Sequence, residues 1–320
     1  MKRTIFFVLF FMFIALSAEA ARFNRIIYPI ETKDASGYTL KQEQAPARII
    51  SADPAVTEIL FALNLKDKIV GATDDSDWPE DAKKIERIGR DNLDIKKLIK
   101  LQPDLVIVSL EKQRSNLDDL RKIKFNVTSS NETREVTLEV FAVDPKNLSE
   151  IFEVIDVIGT ITNREHAAYS LTQRMRRQID WVTSRAMKEK RMKALVVTSR
   201  RPITVASEGI LSDLSKAAGL VNIAARGHTL KLGRDEITKL DPDIIITSTD
   251  VARNPKDIYN NRSFRKTGAG KNKKAVCVDQ KLLRPGPRIT EALDQIASSA
   301  YGWPREKERG EGREIEQTKE

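Results

Sequence analysis

The sequence predicts an α/β protein of two similar doubly wound lobes joined by a long interdomain helix, and three observations predict it. A segment repeats, buried strands alternate with loops and helices in each half, and an unbroken helical pattern separates the halves.

The repeat is Ile99-Lys100-Leu101-Gln102-Pro103-Asp104-Leu105-Val106-Ile107-Val108-Ser109, which recurs as Thr238-Lys239-Leu240-Asp241-Pro242-Asp243-Ile244-Ile245-Ile246-Thr247-Ser248. One supersecondary unit therefore occurs twice. In each copy a helix stops before a proline that cannot continue it, and an aspartate follows at the turn. Four apolar residues in the first copy and three in the second come next without alternation, the mark of a strand buried on both faces of a parallel sheet. Similar runs stand at Ile49-Ile50-Ser51, Ile69-Val70-Gly71, 194–198 and Ala275-Val276-Cys277-Val278. Loop and helix signals follow each, so ligand loops are expected at the carboxyl ends of the strands.

The joining element starts at Thr162-Asn163-Arg164-Glu165 and runs to Lys190 without Gly or Pro, carrying Ala168, Leu171, Met175, Ile179, Val182 and Met187 near one face. Such a helix is roughly 40 Å long and acts as a strut that restricts hinge motion. The expected boundaries are a lead-in over 21–46, a first lobe over 47–161, the helix over 162–190, a second lobe over 191–303 and a charged tail over 304–320. The stretch from Asn126 to Val140, rich in Thr, Ser and β-branched residues, reads as a hairpin insertion or irregular loop. Its Asn-x-Thr triplets at Asn126 and Asn131 match the glycosylation acceptor pattern.

Lys2 and Arg3 precede an apolar run from Ile5 to Leu16 that ends in Ala18-Glu19-Ala20, the pattern of a secretory signal cleaved after Ala20. The run is shorter than the ~20 residues that span a bilayer. The single cysteine, Cys277, lies far downstream, which argues against a lipid anchor and leaves no partner for an intrachain disulfide. The expectation is a soluble periplasmic monomer held by its core. A net charge of +9 arises from 55 Lys and Arg against 46 Asp and Glu, interleaved almost everywhere. With no arginine-rich arm or basic-aromatic motif, and with export, nucleic acid is not an expected partner. The tail from Arg305 to Glu320 reads as disordered.

The segment Ala47-Arg48-Ile49-Ile50-Ser51-Ala52-Asp53-Pro54-Ala55-Val56-Thr57-Glu58-Ile59-Leu60-Phe61-Ala62-Leu63 resembles the first motif of periplasmic binding proteins for cobalamin, haem and ferric siderophores. Val70-Gly71-Ala72-Thr73 with Ser76-Asp77-Trp78-Pro79 is similar to that family's second strand and ligand loop. The two Pro-Asp segments, and Leu282-Leu283-Arg284-Pro285-Gly286-Pro287-Arg288 before the last helix, follow in the family's order. The resemblance covers Ala47 to Tyr301. It implies two lobes joined by a long helix, a ligand in the shallow cleft between them, and docking onto an ABC permease at the inner membrane.

Enzyme chemistry finds no support. His166 and His228 are the only histidines, and there is no His-Glu-x-x-His, Cys-x-x-Cys or Gly-x-Ser-x-Gly. Gly268-Ala269-Gly270-Lys271 lacks the first Gly and the Ser or Thr of a phosphate loop. No metal site and no cofactor are expected. His228, in a second-lobe loop, is a candidate ligand contact.

The loops expected to face the cleft offer Asp75 and Trp78 in the first lobe, and cations at Arg90, Arg200, Arg201, Lys281 and Arg284. Guanidinium groups suit carboxylate, catecholate or phosphate oxygens, so the favoured ligand is an anionic ferric siderophore. A cobalamin-binding member of the same family, or a ligand-dependent adaptor or sensor for a membrane receptor, is the alternative. The resemblance also implies an acidic docking residue on the helix before each Pro-Asp unit. Asp235 fits in the second lobe, whereas Lys96 reverses the charge in the first, with Asp94 half a turn away.

Overall fold

The computed structural model describes residues 28–129, 132–224 and 230–304. The segment expected to be a signal, Asn131, His228 and the tail from Arg305 lie outside the described residues. A lead-in hairpin of β1 (Ile30–Lys33) and β2 (Thr39–Gln42) precedes the first lobe, whose sheet contains β3 (Ile49–Ala52), β4 (Ile69–Ala72) and β5 (Leu105–Ser109). A second hairpin, β6 (Lys124–Ser129) and β7 (Glu132–Thr137), leads into its last strand, β8 (Val140–Val143). The second lobe holds β9 (Lys193–Arg200), β10 (Ile203–Val205), β11 (Val221–Asn222), β12 (Leu230–Lys231), β13 (Ile244–Ser248) and β14 (Ala275–Val278).

The helices that matter for the site are α1 (Pro54–Ala62), α2 (Ile95–Lys100), α3 (Leu148–Ile161), α4 (Glu165–Ala186), α5 (Ile210–Ala217), α6 (Arg234–Leu240) and α7 (Ile289–Tyr301). No helix among the described residues is long and apolar enough to cross a membrane.

Both sheets share one topology. The first lobe is parallel in the order β4-β3-β5-β8, and β11-β9-β13-β14 repeats that order in the second. The strand order runs second, first, third, fourth in each, with helices on both faces. Antiparallel β10 and β12 extend the second sheet beside the far half of β9. The buried runs of β3, β5, β8 and β13 meet apolar layers on both sides, as unalternating strands require.

The repeated Pro-Asp unit performs the same task twice. Gln102 and Asp241 take left-handed backbones (φ 44° and 43°) where the helices end. The Asp104 carboxylate then accepts the Ala47 and Arg48 amides at 2.6 and 2.7 Å, while that of Asp243 accepts the Lys193 amide at 2.7 Å. Each aspartate thus clips the start of the neighbouring first strand, and sets the parallel registers Ile49–Leu105 and Ala194–Ile244. Arg48 and Lys193 complete the likeness by donating to the carbonyls of Leu101 and Leu240 at the helix ends.

The stretch expected as a hairpin or loop is a hairpin, paired from Lys124–Thr137 to Ser129–Glu132 and anchored by buried Phe125 and Leu138. The joining helix is shorter than expected. Arg164 caps α4 and Ala186 ends it, giving 22 residues and about 33 Å. Beyond it, Lys188-Glu189-Lys190-Arg191 offers nothing apolar to bury before Met192, and turns through Lys188 N–H to Arg185 O close the chain.

A single apolar core passes through both lobes by way of α4. Ile49, Ile107 and Phe141 of the first sheet, Leu171, Met175 and Val182 of α4, and Ile246 and Val278 of the second sheet belong to one cluster. Close approaches grip both ends of the helix. A side chain at Gly159 would stand 2.5 Å from Ala168 Cβ, and one at Gly219, where φ is +72°, 2.8 Å from Ala186 Cβ.

Since both aspartates close the same junction, Asp104→Ala and Asp243→Ala should each destabilise by about 1–2 kcal/mol, because charge-assisted bonds to backbone amides are lost at a partly solvated site. Urea unfolding checks this. A loss at one position and none at the other would refute the structural equivalence.

Candidate functional site at the mouth between the lobes

The carboxyl ends of the first lobe's strands each deliver a carboxylate or its anchor. Asp53 follows β3 and caps α1, accepting the Ala55 amide at 2.8 Å, while its other oxygen meets Lys112 at 3.0 Å. The loop after β4 presents Asp75, Asp77 and Trp78. A buried chain of hydroxyls fixes this loop from beneath: Ser51 to Thr57 (2.7 Å), Thr57 to Ser76 (2.9 Å) and Ser76 to Thr73 (2.9 Å). Arg87 secures it further by donating to the carbonyls of Thr73 and Ser76. Asp144 follows β8 and pairs with Lys146 at 2.6 Å and Arg114 at 3.7 Å.

The second lobe answers with cations. The loop between β14 and α7 inserts Arg284 against Asp77 at 2.6 Å and against the Asp75 carbonyl at 3.0 Å, with Lys281 bonded to the other Asp77 oxygen. Burial alone raises the Asp77 carboxyl, yet the hydrogen bonds from Lys281 and Arg284 bring it down to about 2. Arg288 lays its guanidinium over the Trp78 ring, 4.5 Å from the centroid. Pro285 closes a small cavity of about 50 Å³ shared with Asp53, Ser109, Asp144 and Pro145. The loops at the strand ends of the two lobes therefore meet.

At the centre lies Glu58 of α1, with a side chain only 2 % exposed. Arg284 and Arg288 approach its Oε1 at 3.5 and 3.6 Å, and neither oxygen receives a hydrogen bond. Burial pushes this carboxyl up to about 7, offset in part by Arg288 and Arg284 and reinforced by Asp77. Loss of water outweighs two nearby cations here.

The structure distributes the expected site residues unevenly. Asp75 pairs with Arg90 at 3.3 Å, and Arg90 remains largely exposed. Lys281 and Arg284 do reach the mouth, but as interlobe ties to Asp77 and not as open cations. Trp78 stands there too, one ring face covered by Arg288. Arg200 and Arg201 sit where β9 turns into β10, half-buried and exposed respectively, and form no ion pair among the described residues. His166 is exposed on α4, away from these loops. Asp94 caps α2 by accepting the Lys97 amide at 3.1 Å, while Lys96 and Asp235 are the exposed second residues of α2 and α6. Among the described residues no cluster of His, Cys, Asp and Glu is arranged to hold a metal. Cys277 is buried in β14, and burial pushes its thiol up to about 11.

Sequence reasoning missed Glu58, Arg288 and Lys112. For Glu58 a signal existed: it is the lone carboxylate on a helix in which Val56, Thr57, Ile59 and Leu60 are all buried. For Lys112, bridging Asp53 and, at 4.0 Å, Asp75, only the fold supplies the partners.

A family model described as a periplasmic binding protein matches residues 49–282. The chain belongs to the periplasmic binding protein family. Solved members of this fold include vitamin B12-, haem- and siderophore-binding proteins. Among individual relatives, an uncharacterized ABC transporter substrate-binding lipoprotein of Bacillus subtilis is 27% identical over 283 residues, 86% of each chain. The crystal structure of a possible iron-binding periplasmic solute-binding protein from Staphylococcus epidermidis covers 81% of this chain and 100% of its own, at 26% identity and a TM-score of 0.68. The siderophore-binding protein BauB, solved with ferric iron and two acinetobactin molecules, shares the fold at 20% identity and a TM-score of 0.67, over 85% of this chain and 98% of its own. Members of the periplasmic binding protein family are transport components and not enzymes, and this chain is the substrate-binding component of an ABC transporter.

Glu58 gives the family member a measurable pH signature. Its folded value of about 7 lies above the ordinary 4.5, so its contribution to stability is fully present below about 4.5 and lost as pH rises through 7. The span corresponds to on the order of 3 kcal/mol. Wild type should therefore gain on Glu58→Gln as pH falls from 8 to 5 in urea titrations. A difference that stays constant with pH would place the Glu58 carboxyl at its ordinary value.

Proposed function

We propose that the protein is exported to the periplasm, captures an anionic iron chelate at the mouth between its lobes, with a ferric siderophore as the best fit, and delivers it to an ABC permease at the inner membrane. The observation that carries this reading is the pair Arg200–Arg201 at the carboxyl end of β9, cationic and without an ion-pair partner among the described residues. Lys281 and Arg284 are both engaged by Asp77, which leaves the β9 arginines, and Arg90 with its pairing to Asp75 at 3.3 Å and its side chain largely exposed, to meet ligand oxygens. Asp75 orients Arg90, and Lys281 and Arg284 hold the rim on which the ligand rests. His228 is a further candidate contact on chemical grounds alone. A flat corrin ring asks for aromatic faces to stack on, and Trp78 already gives one face to Arg288. The description of the Staphylococcus epidermidis relative as possibly iron-binding agrees with an iron ligand.

Replacing Arg200 and Arg201 together by Ala should weaken an anionic ferric chelate by a few kcal/mol, at ~1.5–3 kcal/mol for each charge-assisted contact. Calorimetric titration measures it. Unchanged affinity, or preferential binding of cobalamin, would sink the assignment.

Delivery to the permease falls to α2 and α6. Asp235 projects from the first turn of α6 and Lys96 from the same position of α2, with Asp94 held as the α2 cap and one oxygen left over. Opposite charges at an interface steer encounter and fix orientation. Asp235→Lys should impair uptake in cells without altering ligand affinity, and Lys96→Glu should be neutral or harmful. Improved uptake with Lys96→Glu, together with no effect of Asp235→Lys, would refute the docking role in both lobes.

A further inference from the structure

The outer face of α4 carries none of the residues placed at the mouth between the lobes. Between Arg164 and Arg191 the chain has eight Lys or Arg against three Asp or Glu, an excess that makes up more than half of the whole net charge of +9. Arg174, Arg177, Trp181, Ser184 and Lys188 follow one another at intervals of three and four residues and are all exposed. That spacing draws one stripe along a helix, and it lies opposite buried Ala168, Leu171, Met175, Val182 and Ala186. Glu165 and Glu189 fall off the stripe, and exposed Asp180, three residues after Arg177 and four before Ser184, borders it as its one acid. Arg174, Arg177, Lys188, Lys190 and Arg191 form no ion pair among the described residues, in contrast to the paired lysines of the first lobe.

The indole of the stripe is held by its neighbours. Trp181 is 44% exposed and Met187, at the end of the helix, 78% exposed. Arg185 lies between the rings of Trp181 and Trp303, 5.4 and 4.1 Å from their centroids, and Trp303 meets Trp181 edge-on at 6.5 Å. From Arg174 to Lys188 the stripe is about 21 Å long. A row of spaced cations around one exposed indole matches the plane of phosphate headgroups, where indoles settle at the interface and long cationic side chains reach out to lipid phosphates. Anionic lipid supplies the complementary charge. The geometry points to the outer face of α4 as a docking surface for an anionic phospholipid membrane, on which the protein rests by its connecting helix.

Protein released by osmotic shock is sedimented with vesicles of phosphatidylcholine alone and of phosphatidylcholine with phosphatidylglycerol at 3:1, at low and at raised salt. Binding is expected only to the anionic vesicles, falling as salt screens the charges. Arg174→Glu/Arg177→Glu should weaken it at least about tenfold with an unchanged melting temperature and unchanged ligand affinity. The neutral variant Arg174→Gln/Arg177→Gln should lie between. Equal binding to both vesicle types, no binding to either, or anionic-vesicle binding that survives the charge reversal would each overturn the proposal. So would self-association abolished by the same reversal, which would assign the face to a second copy of the chain.

Discussion

The apolar core that runs from lobe to lobe through α4 is the constraint on which the rest of the molecule depends. Ala168, Leu171, Met175, Val182 and Ala186 bury one side of the helix against elements of both halves, and the close approaches at Gly159 and Gly219 leave its ends no room to slide. A wide swing of the lobes would re-expose Leu171, Met175 and Val182 at ~1.5–3 kcal/mol each. Recognition therefore falls to the loops at the strand ends, which lie outside that core.

Those loops are joined by charge. The second lobe brings Lys281 and Arg284 to Asp77 and Arg288 toward Glu58, whereas Asp53, Asp75 and Asp144 at the other strand ends pair with cations of the first lobe itself. An apolar seam would hold the mouth shut. An ionic one exchanges partners readily, since water and ligand oxygens compete for the same guanidinium groups. Glu58 shows the other side of this arrangement: a carboxylate buried deeply enough to lose its water but left just beyond hydrogen-bonding distance of two arginines keeps its proton near neutrality. The seam is strongest at its rim, where Asp77 is bonded twice, and weakest beneath.

How much of this was legible in the sequence follows from the range of each interaction. Pro103-Asp104 and Pro242-Asp243 announced both lobes because helix stop, turn and buried strand are all local, and an unalternating apolar run has few alternatives to a parallel strand. The end of α4 was less legible. Met187 continues the apolar period, but by then the neighbouring surface has run out, and that is a tertiary fact. Lys281 and Arg284 were visible as cations at the mouth, while their partner Asp77 stands more than 200 residues away in the chain. Charge is read from sequence, but its neutralisation is not. The same limit hid Lys112, whose two carboxylate neighbours come from other strand ends.

The internal repeat carries a last consequence. Duplicated lobes with the same strand order would present a nearly two-fold surface to a partner, and a symmetric surface does not specify which way round it binds. Lys96 and Asp235 occupy the same place in equivalent helices and carry opposite charges. In α6 the acid also suits the positive end of the helix, whereas in α2 the lysine opposes it and Asp94 supplies the cap. The lobes are thus alike in fold and unlike in sign. A permease with matching polarity would be met in one orientation only, because the reverse would set like charges together at both ends.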